Sequence, residues 1–132
     1  MSAGAHSLSG MTTMTRAQLG ALGEQTAVDY LRGRGWEILA RNWRCRYGEL
    51  DVIATDPATG AVVFVEVKTR SGDGFGGLAY AVPERKVRRL RRLAGIWLTA
   101  QDTHWPRVRL DVIGVRVGHR AAPEISHLAG VG

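Results

Sequence analysis

The stretch VVFVEVKTR, residues 62–70, decides how this chain folds. From Val62 to Val67 every residue except Glu66 is apolar and β-favouring, which reads as a strand buried on both faces. Glu66 and Lys68 interrupt that run. Charged side chains are seldom buried unless they are paired or bind a metal. Two of them on one core strand need a reason.

Upstream, ELDVIA (49–54) reads as a second strand joined to the first through the turn segment TDPATG (55–60), and WEILARNW (36–43) as a third. Before them Thr15 stands as an N-cap, and Leu19, Leu22, Ala27, Tyr30 and Leu31 give a helix one broad apolar face, stopped by Gly33 and Gly35. Downstream, the glycine-rich SGDGFGGL (71–78) leads to a second helix at 83–100, with Pro83 at its start. Val87, Leu90, Leu93, Ala94, Trp97 and Leu98 share one face of it. VRLDVIGVRV (108–117) is the last predicted strand. The order α-β-β-β-α-β predicts one mixed α/β domain over residues 15–118, a single sheet with flanking helices. Residues 1–14 read as a disordered N-terminal tail, with Met11 and Met14 as alternative starts, and 119–132 as a C-terminal tail.

A hairpin turn centred between Ala58 and Thr59 pairs Ile53 with Phe64 and Asp51 with Glu66. Asp51, Glu66, Lys68 and Glu49 then share one face, because residues two apart on a strand point the same way. Opposed carboxylates repel, and a hard divalent cation such as Mg²⁺ reverses the sign of that interaction. Such a metal acidifies water and steadies charge on a phosphoryl oxygen, while a lysine beside it acts as a compact point charge. Only Lys68 and Lys86 are lysines among 18 basic residues. Spacing alone equally allows a structural ion pair between Lys68 and Asp51 or Glu66.

The 132 residues are 45% hydrophobic and 23% charged, ordinary for a globular chain, and the net charge of +6 favours an anionic partner. A single cysteine, Cys45, excludes an internal disulfide and fits a reducing cytoplasm. No apolar run approaches the ~18 residues of a membrane span, and the N-terminal stretch lacks the features of a signal peptide. His6, His104, His119 and His127 are scattered without zinc-like spacing, and Cys45 has no evident base partner. Trp36, Trp43 and Trp97 read as core and Trp105 as a loop anchor; Asp111 receives no role.

GELDVIA followed by VVFVEVKTR resembles the D-x(n)-E-x-K signature of the PD-(D/E)xK nuclease superfamily. More closely, ARNWRCRYGELDVIA, FVEVKTRS, KVRRLRRLAGIWL and LDVIGV together resemble the small bacterial YraN-like family, over residues 17–117. The resemblance implies a restriction-endonuclease-like αβββαβ core and a nuclease acting on DNA, including branched or repair-intermediate DNA, as Holliday-junction resolvases do. It implies Mg²⁺ or Mn²⁺ held by Asp51, Glu66 and the Val67 carbonyl, and Lys68 as the catalytic lysine. Glu24 matches an acid that related resolvases place on their first helix; it also falls at helical spacing with Ala27, Val28 and Leu31, although pairing with Arg32 or Arg34 at the surface fits the residues too. Glu49 matches the acid of the family's GE-D block, as a tuning residue. Related resolvases work as homodimers.

Phosphate contacts are expected from Arg44 and Arg46 before the Asp51 strand, from Arg70 after Lys68, and from Lys86 and Arg89 on the second helix. A solvated helix face accounts for the helical cations equally. The glycine-rich loop lacks the phosphate-loop pattern and reads as a flap or a plain connector. The alternative to a nuclease is a nucleic-acid-binding module that keeps the fold but does not cut; a membrane-surface role for the basic helix is a third reading.

Overall fold

The computed structural model describes residues 14–72, 82–118 and 122–131. Most of the glycine-rich loop, residues 73–81, and the N-terminal tail through residue 13 lie outside the described residues, so the flap and tail expectations are not addressed by them.

Helix α1 (Arg16–Gly33) begins at Thr15, whose side chain accepts from the Gln18 N–H while Gln18 Oε1 accepts from the Thr15 N–H, a complete capping box. Three strands follow: β1 (Glu37–Cys45), β2 (Gly48–Asp56) and β3 (Ala61–Ser71). Helix α2 (Glu84–Thr99) leads to β4 (Val108–Val117) and then to β5 (Glu124–Leu128). The expected α-β-β-β-α-β order is present with one further strand. β5 lies in the segment that the sequence reads as a tail.

The sheet runs β1-β2-β3-β4-β5, antiparallel at every pairing except the parallel β3–β4 pair, whose crossover contains α2. Alternation along β3 divides the core into two layers. Val63 and Val65 join Val52, Ala54, Ile113 and Val115 against Ala27, Val28 and Leu31 of α1. Val62 and Phe64 join Ile53 and Leu110 against Val87, Leu90, Leu93 and Trp97 of α2. The helices therefore cover opposite faces, which is why β3 is apolar on both. Trp36 and Trp97 are core residues, and Trp105 packs on Trp97 with ring centroids 5.4 Å apart, an anchor for the loop before β4. No helix among the described residues is long and apolar enough to cross a membrane.

Two glycines set how closely the helices approach. A Cβ on Gly23 of α1 would lie 1.9 Å from Thr69 Oγ1 of β3, so the helix touches the strand where only glycine fits. Gly48, at φ +148°, opens β2 with its Cα side turned to α2; a Cβ there would lie 3.2 Å from Leu93 Cδ1.

Candidate active site

The β2–β3 ladder runs from Asp56↔Ala61 through Ile53↔Phe64 to Val52↔Val65 and ends there. The register is the expected one, but the two strands diverge just before an Asp51–Glu66 rung would form. Leu50 and Ile53, three apart on β2, both pack in the α2 layer, so alternation breaks as β2 leaves β3. Asp51 is left at the mouth of the split, where its Oδ2 accepts the Val67 N–H at 2.8 Å. A residue's N–H and C=O point to the same edge of a strand, so the Val67 carbonyl faces the gap as well.

A cleft of about 490 Å³ opens at this split. It is lined by Glu24 of α1, Asp51 of β2 and Glu66, Val67 and Lys68 of β3, with Arg16, Leu19, Gly20, Thr69 and Arg70 completing the walls. The contact of Gly23 on Thr69 carries its neighbour Glu24 into the cleft rather than to solvent. The sequence places these residues apart; the fold brings Glu24, Asp51, Glu66 and Lys68 together.

The electrostatics show crowded negative charge. Burial pushes the Asp51 carboxyl up to about 7, helped by the nearby charges of Glu66 and Glu24 and opposed by the Val67 hydrogen bond. Burial also raises Glu24, with Glu49 and Glu66 adding to the effect; a hydrogen bond with Asn42 and the charge of Arg41 oppose it. Asn42 sits in β1 at φ +50°, a left-handed conformation that asparagine tolerates better than most residues.

Glu66 is buried, and both lysines of the chain meet on its Oε2: Lys86 Nζ at 2.6 Å and Lys68 Nζ at 3.7 Å. Burial lowers Lys68 below the usual lysine range, and the adjacent Lys86 adds to that. Lys86 goes the other way: burial works against its charge, but the bond and charge of Glu66 outweigh it and raise it. Lys86, expected at a phosphate, thus enters the site from α2 as the closest partner of Glu66. Glu49 pairs with Arg44 at the surface, its Oε2 accepting from Arg44 Nε at 2.8 Å, while its charge still reaches Glu24. Arg70 and Arg89 are exposed, as phosphate contacts require.

The donors suit a hard divalent cation in type. Three carboxylates line one cleft; burial is the main cause of the raised Asp51, and the repulsion from Glu66 and Glu24 that adds to it is what a cation would relieve. They do not yet form a closed cage: among the described residues no group of three or more His, Cys, Asp or Glu side chains comes together as a metal site.

A second polar cluster lies where no sequence motif points. Asp111 of β4 is fully buried and takes both Arg109 Nε, at 2.8 Å, and Nη2, at 3.0 Å. The Gly130 N–H at 3.0 Å and His127 Nε2 of β5 at 2.8 Å complete its shell. Burial alone would raise Asp111, but these bonds hold it below the usual carboxylate range. An ionised Asp111 only accepts, so His127 Nε2 carries a proton, and Nδ1 shares a hydrogen bond with Tyr30 Oη, 2.9 Å away. Arg34 donates to that same oxygen at 2.8 Å. The isolated histidine of the sequence is thus the clip between β5, β4 and α1.

Residues 23–115 match the model of the "Uncharacterised protein family UPF0102". A UPF0102 protein of Mycolicibacterium smegmatis is 72% identical over 123 residues, covering 93% of this chain and 99% of its own. One from Mycobacterium ulcerans is also 72% identical, over 92% of this chain and all of its own, and one from Mycobacterium tuberculosis is 68% identical over 92% and 98%. With the matched segment spanning both helices' site residues and the first four strands, the chain belongs to the UPF0102 family.

Proposed function

We propose that this protein is a metal-dependent nuclease with a restriction-endonuclease-like core, a member of the PD-(D/E)xK superfamily that hydrolyses DNA phosphodiester bonds. The observation that carries this reading is the cleft at the β2–β3 split, where Glu24, Asp51, Glu66 and Lys68 converge from three elements. Asp51, Glu66 and Glu24 would hold Mg²⁺ or Mn²⁺, with the Val67 carbonyl turned to the same gap. The cation, when bound, supplies an acidified water and positive charge against the phosphoryl oxygens. The chain's own residues supply position. Val67 N–H fixes the Asp51 carboxylate, and Lys86 fixes Glu66 Oε2. Lys68 reaches the same cleft as a partly buried cation, able to orient the attacking water or offset charge on the scissile phosphate. Arg70 and Arg89 would neutralise flanking phosphates.

A second reading has an observation of its own. Glu66 is already neutralised by two lysines, an arrangement that stands without any metal, and this favours a DNA-binding module that does not cut. One experiment separates them. Labelled four-way, flapped, single-stranded and linear DNA are incubated with Mg²⁺, Mn²⁺ or EDTA, beside Asp51→Asn and Lys68→Ala. Cleavage that needs metal and disappears in both variants, with DNA affinity retained, supports the nuclease. Salt-sensitive binding without metal-dependent cleavage supports the module. A homodimer belongs to the same proposal and is read by sedimentation with and without DNA.

A further inference from the structure

We infer that the turn between β1 and β2 carries a platform for unpaired nucleobases, built from Arg46, Tyr47 and Arg92. The inference rests on the nucleic-acid reading above and narrows its substrate to strands with unpaired bases near the cleft. Tyr47 is 44% exposed, one of two large hydrophobic residues so placed among the described residues. Two guanidiniums lie over its ring, Arg92 at 4.2 Å and Arg46 at 5.3 Å from the centroid. Among the described residues neither arginine makes an ion pair, whereas Arg44 is paired with Glu49 and Arg88 with Glu84. Flat π surface beside uncompensated positive charge is what a base and its phosphate require together.

The platform is tied to the fold at several points. Arg92 comes from α2, so the Tyr47 turn is docked on that helix, and Gly48 lets the turn lie close against Leu93, where a Cβ would crowd the leucine. The Tyr47 N–H is held by Cys45 Sγ at 3.4 Å. Tyr47 stands four residues before Asp51, about 13 Å along an extended strand. A duplex hides its base faces within the stack, so such a platform discriminates for single strands, and hence for forks, flaps and gapped junctions over plain duplex.

The test reads binding in EDTA, independent of cleavage. Fluorescence anisotropy of labelled (dT)20, (rU)20 and a duplex of equal length is measured with the full chain, Tyr47→Ala, Tyr47→Phe and Arg92→Lys. Tyr47→Ala should weaken binding to the single strand by roughly tenfold and to duplex by less than about twofold. Tyr47→Phe should bind as the parent does. Arg92→Lys keeps the charge and loses the planar stack, so it should weaken single-strand binding several-fold with an unchanged salt slope; it decides the matter if Tyr47→Ala fails to fold. The two single strands separate DNA from RNA as the source of the bases. Equal losses on single strand and duplex, or no loss on either, overturn the platform alone. A parent protein that binds none of the three overturns the nucleic-acid reading as well.

Discussion

Asp51 is held between two demands. Its half-buried carboxyl faces Glu66 and Glu24, yet its Oδ2 must accept the Val67 N–H. The consequence is a stability that depends on pH with a definite sign. The folded-state pKa, about 7, lies above the ordinary 3.8, so the folded protein holds this proton more tightly than the unfolded chain. In EDTA, thermal stability should therefore fall as pH rises from about 4 to about 7 and level off above. Millimolar Mn²⁺ should flatten that slope by supplying the charge that the proton supplied, and Asp51→Asn should reduce it to the part that the raised Glu24 carboxyl contributes. Melting curves at unit pH steps check all three; a slope undiminished in Asp51→Asn would assign it to another group. Glu66 and Lys68 are legible in the sequence because strand periodicity of two is local information, whereas Asp51 comes to them through the split that breaks that periodicity. Lys86 and Asn42 are not, because what brings them to Glu66 and Glu24 is the packing of α2 and β1, which no local spacing records. The one available signal is scarcity: the chain's two lysines stand on different elements and meet on one oxygen.

Between elements, one glycine and one carboxylate do most of the positioning. Gly23 lets α1 lie on β3, and an added methyl would overlap Thr69 at 1.9, 2.7 and 2.8 Å from its three side-chain heavy atoms. Thr69 is short and fixed in a strand, so the helix must move instead. Gly23→Ala should cost about 1–3 kcal/mol by overpacking, despite the gain in helix propensity, and should draw Glu24 away from the cleft. Urea unfolding measures the first effect and Mn²⁺ affinity the second; Thr69→Ala combined with Gly23→Ala should recover much of the loss. Asp111 ties β4 to β5 and to the chain beyond it. Replacing it with alanine leaves Arg109 on Asp56 alone and breaks the His127 bond, a loss of about 1–3 kcal/mol. His127→Ala removes one link and should cost about 1–3 kcal/mol, with β5 amides losing hydrogen-exchange protection before those of β3. The sequence does not disclose β5 because EISHL is short, follows Pro123 and carries little apolar alternation. What fastens it is a network of side chains from several elements. The two helices and the first four strands are readable, since each carries its own periodicity of 3.6 or 2 and its own stop signals.

At the scale of the whole molecule, a net charge of +6 is an average that hides two kinds of cation. Arg70 and Arg89 are exposed, whereas Lys86 commits its charge to Glu66 at 2.6 Å. Composition does not distinguish them, and a basic stretch such as RKVRRLRR invites counting every residue toward a phosphate. The salt dependence of DNA binding does distinguish them. Each phosphate neutralised contributes roughly 0.9 to the slope of log affinity against log salt on B-form duplex. Arg89→Ala and Arg70→Ala, measured in EDTA, should each lower the slope by about that amount and weaken binding uniformly across sequences. Lys86→Ala should leave the slope where it was, because the counter-charge it loses is a carboxylate of its own chain and not a phosphate. If Lys86→Ala lowers the slope as Arg89→Ala does, the Glu66 pair opens when DNA arrives and the lysine crosses to the phosphate. On the proposed nuclease reading the cleft would then exchange an internal partner for a substrate one and free Glu66 toward a cation, and divalent affinity should rise in the presence of DNA by the same coupling.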